Sequence, residues 1–102
     1  MIVGRVTGVI VCTQKDPSLM GKKMLVIQPV NICSLKNEGS PIVALDAVGA
    51  GEGELVMVVG GSSARLAEGF SKITVDQAVI GILDSINIKG TAVFRKELTE
   101  GI

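Results

Sequence analysis

Short Val- and Ile-rich runs bounded by polar and glycine-containing turns recur along the chain, and residues 2–13 and 79–88 show the two-residue period of β-strands. Residues 2–13 are predicted as the first strand. The even positions Ile2, Gly4, Val6, Gly8, Ile10 and Cys12 form one face, and Val3, Arg5, Thr7, Val9, Val11 and Thr13 form the other. Small and bulky residues alternate on the even face, which suits a tightly curved sheet where glycine relieves crowding at a bend. The odd face sets three valines beside Arg5 and Thr7, too apolar for free solvent, and is expected to be partly covered.

Residues 14–23 form a polar connection punctuated by Pro17 and Gly21. A second strand is predicted at 24–30, apolar on both faces as far as Gln28. After a loop over 31–41, whose turn is at 37–40, a third strand is expected at 42–48, carrying Asp46, and a fourth at 55–59. The pattern then changes. Ser62 and Ser63 suit a helix cap, 64–68 a turn or two of helix, and Gly69 its end. Asp76 is read as capping a second short turn through Gln77 and Ala78. Residues 79–88 alternate again and are predicted as a fifth strand, with Ile80, Ile82, Ile86 and Ile88 on one face. The short apolar run Thr91-Ala92-Val93-Phe94 and then charges complete the chain. The fold class implied is all-β: a small five-stranded OB-like Greek-key β-barrel with one or two short helical turns. Barrel closure removes the edges that Val-rich strands otherwise expose. Residues 1–88 are assigned to the barrel, and residues 89–102 to a C-terminal tail that packs on a neighbouring subunit.

Composition narrows the function. A chain of 102 residues is one domain, and ten basic against ten acidic residues give zero formal net charge. No broad electrostatic hold on nucleic acid or an anionic membrane follows from that balance. Hydrophobic residues make up 47% and aromatics only 2%, so the apolar content is aliphatic. At a mean hydropathy of +0.53, a domain this small has more apolar surface than its own core can hide, and some is expected to be buried against another chain. The absence of histidine excludes the usual triad and the usual mixed zinc site. Cys12 and Cys33 are expected to be reduced and buried, as in a cytosolic protein. The N-terminal residues show no secretory signal pattern, and no apolar run reaches the roughly 20 residues of a membrane span. A cytoplasmic location is expected.

Gly49-Ala50-Gly51-Glu52-Gly53 is the first candidate site. Alternate glycines suit a phosphate cradle, but the dinucleotide and P-loop patterns need a helix or a Gly-Lys-Ser/Thr to follow. Here Glu54 and a strand follow, and two carboxylates repel a phosphate. The loop is therefore read as structural, its glycines supplying positive φ or close approach, and, in any closed ring of copies, as shaping an axial opening or a subunit contact. The helix start at Ser62 and Ser63 offers free N–H groups, but there is no histidine to activate a serine. With Arg5 and Arg65, these two serines are the candidate subunit-interface residues. Asp76 is read as a turn cap, and Asp46 and Asp84 as surface or interface partners. Neither a catalytic residue, a cofactor nor a metal is expected. The alternative class is an OB-type module for single-stranded nucleic acid. It needs aromatic platforms in a basic groove, and Phe70 and Phe94 are the only aromatics.

Four stretches taken together resemble the bacterial microcompartment vertex proteins of the EutN/CcmL family. They are Gly8 to Lys15, Asp46 to Glu54, Gly61-Ser62-Ser63-Ala64-Arg65, and Val75 to Asp84. The chain departs from the family pattern at Leu55, where relatives carry an aromatic residue. The resemblance implies an OB-like barrel, a homopentameric ring, contact with hexameric shell proteins, a structural role at shell vertices and no catalysis. The central loop and the Cys12-Thr13-Gln14-Lys15 stretch lean toward the catabolic group rather than the carboxysome group.

Overall fold

The computed structural model describes residues 1–13, 17, 21–61 and 76–96. Seven strands form in chain order: β1 (Ile2–Ile10), β2 (Met24–Pro29), β3 (Ile42–Asp46), β4 (Leu55–Gly60), β5 (Gln77–Ile82), β6 (Ser85–Ile88) and β7 (Thr91–Arg95). The first five close into a barrel in the order β1-β2-β3-β5-β4, and β6 and β7 form a separate two-stranded sheet. The all-β, five-stranded OB-like barrel is as expected. Neighbouring strands run antiparallel except β3 and β5, which are parallel.

Every strand of the barrel is paired on both sides, β1 among them. Gly4 and Arg5 pair with Pro29 and Gln28 on one side and with Val56 and Leu55 on the other. Inside, Val6, Leu25, Ile27, Ala44, Ala50, Val56, Val58 and Val79 form the core. Among the described residues nothing polar or charged is buried, so the barrel is held by aliphatic burial and backbone pairing. A second cluster, Leu45, Val59 and Ala78, forms on the opposite face of β3, β4 and β5. A third joins Val30, Leu55 and Phe94, with Val3, Leu83 and Ile86 against it, and seats the base of the β6–β7 hairpin on the barrel.

The structure corrects several sequence expectations. The even face of the first strand does not persist, because the register shifts between Val6 and Gly8. Gly4 and Val6 are buried, whereas a side chain at Gly8 would touch Val26. Such a bulge bends the strand as closure requires. The expected fifth strand divides after Ile82, and β6 pairs with β7, not with the barrel. Lys89 (φ 52°) and Gly90 (φ 80°) make the hairpin turn, the left-handed pair that two-residue hairpin loops require. Gln77 and Ala78 are strand, not a turn capped by Asp76, since Ala78 is fully buried between Leu45 and Val59. Both cysteines are free and exposed rather than buried. Cys12 lies beyond the paired end of β1, and Cys33 lies in a loop organised by the Asn31 side chain. The helical turns expected at 62–68 lie outside the described residues.

Gly4 is the tightest point of the barrel. A Cβ there would run into the Ile27 side chain and lie 3.0 Å from the Gln28 carbonyl oxygen, whereas at Gly8 it would meet Val26 at 3.8 Å. Gly4→Ala is expected to cost about 1–3 kcal/mol by overpacking. Gly8→Ala is expected to be neutral or stabilising by about 0.5 kcal/mol, because strand glycine is entropically unfavourable. Urea unfolding of the two variants checks the contrast.

Candidate functional site

The glycine-rich segment joins β3 to β4, which are not neighbours in the barrel. It must therefore cross the barrel end, and most of its polar groups are tied down on the way. The Asp46 carboxylate ends β3 and accepts hydrogen bonds from the N–H groups of Val48 and Gly49, both at 3.0 Å. Asp46 is thus a turn cap and not the surface or interface partner expected from sequence. Ala50 then enters the core, fully buried, and its carbonyl accepts from Lys23 Nζ at 2.9 Å. Gly53 donates to the Val6 carbonyl (2.8 Å), and Val6 donates to the Glu54 carbonyl (2.9 Å). Gly49 and Gly53 have φ of 81° and 86°, whereas Gly51 does not take a positive φ.

Glu54 organises the crossing. One carboxylate oxygen, Oε1, accepts from the Gly51 N–H at 2.7 Å. The other, Oε2, lies 2.7 Å from Lys96 Nζ. The carboxylate therefore links the loop to the end of β7. The Lys96 hydrogen bond and then the Gly51 N–H hold its pKa below the ordinary glutamate value, and partial burial opposes them. Sequence reasoning counted Glu54 only as a charge that repels phosphate. The available signal was its spacing, three residues after a glycine N–H in a loop.

These bonds decide what the loop can bind. The N–H groups of Gly49, Gly51 and Gly53 are taken by Asp46, Glu54 and Val6. None is left to cradle a phosphate, which agrees with the structural reading. Beside the loop lies a cleft of about 210 Å³. Arg5, Glu52, Glu54 and Lys96 form its charged lining, and Leu83 and Phe94 are among its apolar walls. Arg5 donates to the Gly53 carbonyl at 2.9 Å, so it braces its own loop. Glu52 is exposed at the tip. Of the proposed interface residues, Arg5 thus joins the loop, while Ser62, Ser63 and Arg65 lie outside the described residues. Phe94 is buried and packs with Val30 and Leu55. It offers no stacking platform, and Phe70 lies outside the described residues. Among the described residues no group of His, Cys, Asp or Glu could hold a metal, and no helix is long and apolar enough to cross a membrane.

The Glu54–Lys96 pair gives a pH-dependent prediction. Because the folded-state pKa of Glu54 is lowered, its stabilisation is present at neutral pH and is lost as pH falls from about 4.3 through the folded value. Both side chains are partly exposed, so a double-mutant cycle with Glu54→Gln and Lys96→Met is expected to give a coupling of about 1 kcal/mol or less at pH 7. The coupling should shrink as pH falls below about 4.3 and vanish once Glu54 is protonated in the folded state. Chemical unfolding over that pH range measures it.

Residues 1–84 match the family model described as ethanolamine utilisation protein EutN/carboxysome. The chain is 46% identical over 91 residues to the bacterial microcompartment shell vertex protein PduN of Salmonella typhimurium, covering 85% of this chain and 99% of PduN. Its fold superimposes on the solved structure of CcmL from Gloeobacter violaceus with a TM-score of 0.89 at 38% identity, over 95% of this chain and 99% of that one. It also matches the pentameric microcompartment shell protein GrpN of Rhodospirillum rubrum, with a TM-score of 0.77 at 42% identity, over 86% and 99% of the two chains. With its barrel, its crossing loop and four-fifths of its length accounted for in this way, the chain belongs to the EutN/CcmL family.

Proposed function

We propose that this chain is a structural vertex protein, five copies of which close into a ring at the corners of a bacterial microcompartment shell in the cytoplasm. The observation that carries the reading is its near full-length similarity to shell vertex proteins, GrpN among them being pentameric. The site agrees with a structural role, since the loop's glycine N–H groups and the Glu54 carboxylate are bound within the chain. Identity is higher to PduN and GrpN than to CcmL, which favours the catabolic type over the carboxysome type. Hexameric shell proteins are the proposed neighbours. A sheet of six-fold tiles is flat, and a five-fold unit lets it curve and close.

Within the ring, Arg5, Ser62, Ser63 and Arg65 are proposed to lie at or near subunit boundaries, and the C-terminal residues 89–102, apart from Phe94 and Lys96, which their own barrel holds, to pack on the adjacent copy. The loop over residues 49–53 is proposed to face the axial opening or a subunit contact. Ala50 is committed to its own barrel, which leaves Gly49, Glu52 and Gly53 as the exposed positions that meet a neighbour.

Native mass spectrometry in moderate salt is expected to show the five-copy mass, and a stable monomer at micromolar concentration would contradict the reading. Arg65→Ala is expected to raise the concentration at which the ring dissociates while leaving thermal unfolding of the barrel unchanged. An unchanged ring removes Arg65 from the contact.

A further inference from the structure

Among the described residues, part of one edge of β1 is left without a partner strand. β4 pairs with β1 only from Ile2 to Arg5, and the crossing loop extends that side by one residue through the Val6 bonds to Gly53 and Glu54. β2 covers the opposite side of β1 as far as Ile10. From Gly8 onward, no described residue pairs with the side of β1 that β4 serves. Folded proteins usually protect such an edge with charge, proline or a covering element. The segment Gly8-Val9-Ile10-Val11-Cys12-Thr13 contains neither charge nor proline, and Val9 and Val11 are 47% and 87% exposed.

A second incomplete element lies elsewhere on the same chain. Among the described residues, the β6–β7 hairpin pairs only with itself. Ile86 and Phe94 anchor its base on the barrel, while Ser85, Asn87, Thr91 and Ala92 are exposed. A two-stranded ribbon is marginal in water, and a third strand is what commonly secures it. A ring contact that closes on itself is heterologous: one surface of each copy meets a different surface of the next. This chain carries two such surfaces, an open apolar edge and an open ribbon.

We propose that the open edge of β1, residues 8–13, pairs strand to strand with the β6–β7 hairpin of the adjacent copy. The occupant of the edge is a second copy of this chain, and the inference rests on the ring reading above. Backbone hydrogen bonds supply the contact, and Val9 and Val11 leave water as it forms. Pairing of two β1 edges with each other would satisfy the strands but produce a two-fold dimer, leaving both hairpins open.

Cys12, exposed on the open segment, makes the proposal testable in the full chain. In a Cys33→Ser background, single cysteines are placed along both hairpin strands by Ser85→Cys, Asn87→Cys, Thr91→Cys and Ala92→Cys. A disulfide forms only where Cα atoms come within about 7 Å, and the four exposed positions sample both strands of the hairpin. After mild oxidation with diamide, a non-reducing gel is expected to show chains linked in a ladder that ends at five, in at least one variant. Adding Cys12→Ser should abolish it. Rings of normal mass with no cross-link in any of the four variants overturn the proposal while leaving the ring reading intact. Cross-links that stop at two and form equally in the Cys33→Ser parent overturn it in favour of edge-to-edge dimers. A parent protein without a five-copy mass overturns the ring reading itself.

Discussion

A five-stranded sheet closes only when every strand is paired on both sides, and β1 meets both of its neighbours at Gly4 and Arg5. The same two residues pair with β2 and with β4. At Gly4 the strands approach so closely that a single methyl group would strike Ile27. Much of the remaining structure follows from that seam. Because β5 lies between β3 and β4, the connection from β3 to β4 has to cross the barrel end. It does so by placing Ala50 in the core and returning to β1 through Gly53 and Val6. Glu54, at the far end of the crossing, then holds both the loop and Lys96.

The loop looks like a ligand site in sequence and behaves as a joint in structure. Its glycines supply the left-handed turns at positions 49 and 53, and the chain's own oxygens occupy the donors that a phosphate would need. The carboxylates that weakened the phosphate reading are part of that joint. Asp46 caps the entry, Glu54 fastens the exit, and Glu52 alone faces solvent. The glycine N–H groups are thus spent on holding the crossing in place.

The barrel was legible in the sequence because its strands are short, aliphatic and bounded by glycine and polar turns. Four of the five were placed to within a few residues. The fifth was extended too far, since Ile82 and Ile86 continue the same alternation across Leu83 and Asp84. Periodicity alone cannot register that the chain leaves one sheet for another. The bulge after Val6 and the burial of Ala78 were hidden for the same reason: both are set by partners distant in sequence. At the site, the structural role of the glycines was legible from the acids beside them. The part played by Glu54 was not, because it depends on Lys96, 42 residues further along the chain. The excess of aliphatic residues pointed to a partner chain, and the exposed valines of β1 are where part of that excess lies.

As a member of a family of shell vertex proteins, this chain is proposed to supply the five-fold element that lets a shell of six-fold tiles close. Electron microscopy of particles assembled from hexameric shell proteins, with and without this chain, tests it most directly. With the chain present, closed polyhedral particles carrying its density at their five-fold corners are expected. Without it, sheets, tubes or particles missing their corners should form. Equally closed particles in both preparations, with none of the chain at the corners, would contradict the account.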